Sequence, residues 1–134
     1  MTYEAAEAAM ILDFKTKFIT SPVMLVAWPN DKFDSDGKTE YVRFQIQRAK
    51  DEQVTMGDNS DWRKFGLVVV SIFTELNEGG MRSTEIVDLV TGIYRNLLLS
   101  PSITFGEIDV VTIGNSDGYY QENVEIEFHR DEQH

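Results

Sequence analysis

Residues 67–73 have the sequence Leu-Val-Val-Val-Ser-Ile-Phe, an almost unbroken run of apolar side chains. Branched and aromatic residues favour a β-strand, which we predict over residues 62–76. An antiparallel strand usually turns one face toward water, yet this one leaves almost no polar side. We therefore predict a central strand with helices on one face. A neighbouring subunit is expected on the other face, because a single chain would leave that face as an exposed apolar patch.

Two helices are predicted, one before this strand and one after it. The first covers residues 2–19, where alanines favour a helix and Ser21-Pro22 ends it. The second begins with Ser83 as its N-terminal cap and runs to about Leu98, before Pro101. The first helix has an apolar stripe of Ala6, Met10, Phe14 and Phe18, joined by Tyr3 and Ile11. The second has a broader one, of Ile86, Val87, Leu89, Val90, Ile93, Tyr94, Leu97 and Leu98.

Four further strands are predicted. Residues 23–28 end at Pro29, residues 41–48 alternate between apolar and polar side chains, and residues 103–113 and 119–129 flank a Gly-Asn-Ser-Asp-Gly turn. The sequence thus predicts an α+β fold with the order α-β-β-β-α-β-β. Its mostly antiparallel five-stranded sheet carries two helices on one face. No linker or repeat divides the chain, so residues 1–134 are expected to form a single domain.

The charge of the chain limits the classes of partner. The 134 residues include 23 acidic and 12 basic side chains, which gives a formal net charge of −11. Such a surface repels phosphate and anionic lipid, so neither specific nucleic-acid binding nor a membrane partner is expected. No secretory signal is recognisable. Cysteine is absent, which fits assembly in a reducing cytoplasm. The acidic charge indicates either a partner protein with a basic patch or a role in solubility alone.

No catalytic, cofactor-binding or metal-binding constellation is predicted. The acidic loop at residues 31–37 resembles a calcium loop, but alignment on its turn glycine puts Lys32 and Arg43 at ligand positions. Both are cations, which excludes an EF-hand and leaves a looser cation site as an alternative. His129 and His134 lack metal-ligand spacing. Ser116 has the spacing Gly-x-Ser-x-Gly, but it lies in the turn between two predicted strands and not in the strand-to-helix elbow of a serine hydrolase. We therefore expect no enzymatic activity and no cofactor.

Two segments are candidates for contact with a partner protein. Trp62, Arg63 and Lys64 form the densest cluster of aromatic and basic side chains, suited to an acidic partner or to passing DNA. The structural alternative puts Trp62 in the core or at a strand end, with both cations in solvent. The second segment is a polar, acidic loop predicted over residues 49–61. Its candidate contact residues are Asp51 and Asp58.

Several segments together resemble one family of phage proteins. The first is Ala27-Trp28-Pro29-Asn30-x-x-Phe33, followed after a polar loop by Tyr41-Val42-Arg43-Phe44. Next come the strand at residues 66–73, the pair Gly79-Gly80, and the helix with Ile86-Val87-Asp88-Leu89-Val90 and Ile93-Tyr94. With the final strand pair, nearly the whole chain is similar to the tail terminator-like proteins of siphoviruses and prophages, which are related in fold to the lambda tail terminator. The acidic loop at residues 49–61 has no counterpart in that pattern.

The resemblance implies a structural role in the virion tail and no catalytic residues. The family implies a homo-oligomeric ring, usually of six subunits, that stops growth of the tail tube and presents a surface to the head-neck connector. The implied partners are further copies of the chain, the tail tube protein and the connector protein. A phage neck or head-closure protein is one alternative. A small-molecule-binding module is another, and it would have a deep apolar pocket with converging polar groups.

Overall fold

The computed structural model describes residues 3–18, 25–28, 40–53, 61–75, 81–95, 98–100, 103–116 and 118–133. Two helices and six strands follow one another along the chain. They are α1 (Tyr3–Lys17), β1 (Leu25–Ala27), β2 (Tyr41–Gln53), β3 (Asp61–Glu75), α2 (Met81–Tyr94), β4 (Leu98–Ser100), β5 (Ile103–Ser116) and β6 (Tyr119–Gln133).

All six strands belong to one sheet, in the order β1-β2-β3-β6-β5-β4. Neighbouring strands are antiparallel except β1, which runs parallel to β2. The predicted α+β class, the mostly antiparallel sheet and the predicted order of the main elements are confirmed. The three-residue strand β4 was not predicted, and with it the sheet has six strands rather than five.

One apolar core lies between the helices and one face of the sheet, called here the inner face. The inner face carries Val42, Phe44, Val68, Val70, Ile72, Val124, Ile126 and Phe128. The helical side of the core consists of Ala6, Met10 and Phe14 from α1 and of Ile86, Val90, Ile93 and Tyr94 from α2. Both helices therefore pack on the same face, as their apolar stripes predict. Leu97, predicted to continue the second stripe, lies outside the described residues.

The outer face of the sheet carries the alternate residues of the same strands, among them Tyr41, Val69 and Phe73. We predicted that this side of β3 is exposed in a single chain, and that prediction is wrong, because each of these side chains is only 5% exposed. The Phe73 ring stacks on Tyr41 with 4.5 Å between ring centroids, and Tyr119 meets both rings edge-on. The Arg43 guanidinium lies 5.4 Å from the centre of the Phe73 ring. Side chains of the flanking strands thus cover the outer side of β3 around Phe73.

The second half of β2 also differs from the prediction, which placed a loop over residues 49–61. Strand β2 continues to Gln53, and β3 begins at Asp61. A break in the register between Arg48 and Asp51 marks a β-bulge, after which pairing with β3 resumes. The polar sequence does not prevent this pairing, because the backbone hydrogen bonds of an antiparallel ladder require no apolar side chains.

Both ends of α2 differ from the prediction. The helix begins at Met81, so Ser83 is a buried residue of its first turn and not its cap. It ends at Tyr94, and Leu98–Ser100 pairs with the start of β5. A proline disfavours the helical conformation of the residue before it, and Pro101 therefore favours an extended chain at this point.

Two ion pairs connect the helices to the β2 region. Arg82 of α2 donates hydrogen bonds to both carboxylate oxygens of Glu40, from Nη2 to Oε1 at 2.8 Å and from Nε to Oε2 at 3.0 Å. These hydrogen bonds to Glu40 raise the pKa of Arg82 above its usual value. Arg48 of β2 donates from Nε to Oε2 of Glu7 in α1 at 3.0 Å. The forked geometry of such pairs fixes orientation as well as proximity.

Gly66 in β3 is a position where a side chain is expected to destabilise the sheet. A Cβ atom there would collide with the Phe128 ring and lie 2.9 Å from the carbonyl oxygen of Gln47. We expect Gly66→Ala to lower the free energy of unfolding by about 1–3 kcal/mol, as overpacking does.

Gly92 in α2 provides the matched control, because a Cβ atom there meets nothing within 4 Å. Alanine is about 1 kcal/mol more favourable than glycine inside a helix, so Gly92→Ala should stabilise the chain. Urea denaturation of the two variants should therefore shift in opposite directions. A Gly66→Ala chain as stable as the wild type would contradict the close approach of β3 to Phe128.

Candidate functional site

The structure places most of the predicted contact residues at one end of the β2–β3 hairpin. Asp51 lies opposite Lys64 in the register, Glu52 opposite Arg63 and Gln53 opposite Trp62. On its other side this part of β3 pairs with β6, so Trp62, Arg63 and Lys64 lie within the sheet and not in a loop. Asp58 lies outside the described residues. Contact of this end with a partner stays a prediction.

A second surface, which the sequence did not single out, lies on β5. Val110, Val111 and Ile113 are 45%, 40% and 49% exposed, and Thr112 between them is exposed as well. Leu12 of α1 is the other large exposed apolar side chain in the described part of the protein. Three apolar side chains within four consecutive exposed residues mark a candidate contact surface.

The same residues lie at a side of the sheet where strand pairing stops. β6 pairs with β5 from Ile103 to Ser116, whereas β4 pairs with it only at Ile103 and Thr104. No other strand of the described ranges lies beside residues 105–116, which we call the β5 edge. Irregularities in the register bound its continuous segment, Ile108 to Thr112. A strand edge of this kind is a template for pairing with another chain.

The opposite side of the sheet has a corresponding edge on β2. The short strand β1 pairs with residues 41–43 of β2. None of the described strands pairs on that side with residues 44–53, which we call the β2 edge. Among the described strands, the sheet therefore ends on both sides in a long strand that is paired on its outer side only at one end.

A groove of about 460 Å³ lies beside the β5 edge, on the inner side of the sheet. It is lined by Thr91 and Arg95 of α2 and by Phe105, Gly106, Ile108 and Val110 of β5. The groove therefore continues the exposed surface of the β5 edge toward the end of α2.

The outer side of the β5 edge is acidic. Asp109 lies directly opposite Glu125 of β6, and like charges at opposite positions of an antiparallel pair destabilise it. Glu127 lies on the same face of β6, and Glu107 lies at the irregularity in β5. The sequence of β5 contains no basic residue. This side of the sheet therefore favours a cationic neighbour.

Tyr94 is a buried titratable group without a catalytic arrangement. Its ring lies in the core near Phe14 and Phe105, with ring centroids 6.5 Å and 5.1 Å away. Burial, and secondarily the negative charge of Asp13, raises the pKa of its hydroxyl well above the usual range. A hydroxyl that stays protonated in this way is a poor general base.

The described residues include neither a candidate metal site nor a candidate membrane-spanning helix. Within the described residues no group of histidine, aspartate and glutamate side chains could hold a metal ion. The loop at residues 31–37 and His134 lie outside those residues, and His129 packs near Phe65, with 6.2 Å between ring centroids. Neither described helix combines the length and the apolar character needed to cross a membrane.

Comparison with known proteins gives one family and one fold. A family model described as phage tail terminator protein matches residues 5–124, from α1 into β6. Several solved structures match, and one of them has a TM-score of 0.63 and 16% sequence identity, over 92% of this chain and 94% of that chain. At this identity the likeness shows a shared fold alone. No curated protein matches the sequence.

Proposed function

Because the chain belongs to the phage tail terminator family, we propose that copies of it form a ring that ends the tail tube and joins it to the head-neck connector. Proteins of this family have a structural role in the phage tail, and the chain is accordingly a component of the phage tail. We propose assembly in the cytoplasm of the bacterial host and, following the family resemblance, a ring of six copies. The tube protein and the connector protein would contact its opposite faces.

The observation that carries this proposal is the extent of the family match. Residues 5–124 include most of α1, all of α2, the central strand β3, the β5 edge and the β2 edge. The proposed role therefore applies to the whole arrangement of core and edges and not to one motif. The two edges add support, because a contact between two different surfaces, repeated by rotation, forms a ring when the rotation closes.

The charge of the chain is compatible with a ring through which DNA passes. With a net charge of −11, the protein repels the phosphate backbone overall. A ring that borders the DNA path would then allow movement of the DNA without binding it. Sequence-independent DNA binding by the isolated chain would be inconsistent with this role.

Labelling of assembled tails tests the proposed position. A phage that carries a tagged copy of the chain can be labelled with gold particles and imaged by electron microscopy. We expect one cluster of gold at the head-proximal end of each tube. Tails of normal length made with the tagged chain provide the control for its function.

Two other results would contradict the proposal. Gold distributed along the tube would indicate a tube subunit. Gold on heads that lack tails, and none on free tubes, would indicate the alternative neck or head-closure role.

A further inference from the structure

We propose that copies of this chain associate head to tail through their sheets, with the β5 edge of one copy paired to the β2 edge of the next. This inference rests on the proposed ring and names the surfaces that form it. The occupant of the β5 edge is therefore a second copy of the same chain, held by backbone hydrogen bonds between strands and by opposite charges.

Strand direction is compatible with this contact. From β2 through β3 and β6 to β5, each strand is antiparallel to the one before it. A β2 strand that keeps this alternation lies antiparallel to β5 of the preceding copy. The inter-strand hydrogen bonds of the sheet can then continue from one subunit into the next.

Charge favours pairing between unlike edges. The β5 edge carries Glu107 and Asp109, next to Glu125 of β6, and its strand contains no basic residue. Arg43 adjoins the β2 edge, and Arg48 lies within it and forms the ion pair with Glu7 of α1. The acidic residues of β2 come only after the bulge. Arg43 is exposed on the outer face, the face that also carries Asp109 and Glu125.

Pairing between like edges is disfavoured for the same reason. Two β5 edges would bring Asp109 and Glu125 of one copy against the same acids of another. Like charges brought together at an interface are costly and act against that partner. The contact is therefore heterologous, and such a contact forms a ring when its rotation closes.

The exposed apolar residues of the β5 edge lie on both of its faces, where a paired strand would cover them. Val110 faces the inner side, above the groove, and Val111 faces the outer side beside Asn123. A strand laid along Ile108 to Thr112 would cover both faces of the β5 edge at once. Burial of apolar area at that position adds to the hydrogen bonds and gives the edge its affinity.

A lysine on the β5 edge tests the surface. Lysine in place of Val111 removes apolar contact area and adds a positive charge on the side that faces the basic residues of β2 in the next copy, and such an unmatched charge at a sheet edge acts against strand pairing. Leu12→Lys is the matched control, because Leu12 is an even more exposed apolar residue, on α1. In sedimentation velocity, we expect Val111→Lys to weaken self-association at least about tenfold, as expected for a charge placed at a contact, and Leu12→Lys to associate like the wild type.

A pair of charge variants tests the direction of the contact. The first, Glu107→Lys with Asp109→Lys, makes the β5 edge basic. The second, Gln45→Glu with Gln47→Glu, makes the outer side of the β2 edge acidic without removing its arginines. Each variant alone should fail to associate, because its own two edges now repel. In an equimolar mixture the two variants can alternate, so that every β5 edge meets a β2 edge of opposite charge, and association should return to the wild-type level. Melting curves verify that each variant is folded.

The outcomes separate this contact from the proposed function. A wild-type chain that stays monomeric up to ~1 mM, a Val111→Lys chain that associates normally, or a mixture that does not recover would each overturn the edge pairing. Gold at the tube end together with any of these results leaves the terminator role intact. If association recovers in the mixture but gold is absent from the tube ends, the edge contact is supported and the terminator role is contradicted.

Discussion

Phe14→Ala is expected to lower the free energy of unfolding by about 3–5 kcal/mol, the range for removal of a buried phenylalanine. The Phe14 side chain is completely buried, at 0% exposure. Its ring centroid lies 4.8 Å from that of Phe18 and 4.9 Å from that of Phe44, and Trp28 meets it edge-on at 5.9 Å. The substitution removes these contacts together and leaves a cavity between α1 and the sheet.

Leu12→Ala in the same helix is the control for that experiment. Leu12 is 65% exposed, and surface substitutions of this kind usually change stability by no more than about 0.5 kcal/mol. Both variants keep the helix propensity high, because alanine is the best helix former. Guanidinium denaturation measures the difference. A loss below about 1 kcal/mol for Phe14→Ala would mean that α1 does not pack on the sheet as described.

The sequence predicted those parts of the fold that depend on local periodicity. The stripe that contains Phe14 placed α1 on the core, and the stripe from Ile86 to Tyr94 did the same for α2. Alternation along residues 41–48 placed Val42 and Phe44 on the inner face. In each case the side-chain spacing that determines secondary structure also determines which face is buried.

The sequence could not predict the neighbours of each strand. Val110 and Val111 have the same local character as Val69 and Val70, yet the first two are exposed at an edge and the others are buried in the centre. The difference arises because β6 lies between β3 and β5 in the sheet. The pairing of β3 with β6 joins residues that are far apart in sequence. The prediction that β3 needs a neighbouring subunit is wrong for a related reason, since its outer side is buried and side chains of β2 and β6 cover it around Phe73.

The candidate site could be predicted only in part. Basic and aromatic residues at Trp62–Lys64 were visible from composition, and the register adds that Asp51 lies opposite Lys64. The β5 edge could not be predicted, because its acidic residues and valines form a contact surface only in a sheet order that leaves most of β5 without an outer neighbour among the described strands. An edge is a property of topology, and no local pattern specifies it.

If the chain is the terminator, its complete loss should have the largest effect on the virion. A tube that no ring closes continues to grow by addition of identical subunits, because each added subunit presents the same surface as the one before it. Termination therefore requires a subunit that binds the tube end and offers no further tube surface. Variants that only weaken the ring, such as Val111→Lys, should give an intermediate defect.

Tail-tube length in lysates of a phage that lacks this gene is the most direct measurement of that claim. Electron microscopy of negatively stained particles gives the length distribution, and expression of the wild-type chain from a plasmid provides the control. We predict tubes that are longer than normal, variable in length and not joined to heads, with normal tails restored by the plasmid. Tails of normal, uniform length joined to heads in the absence of the chain would contradict the assignment as a tail terminator.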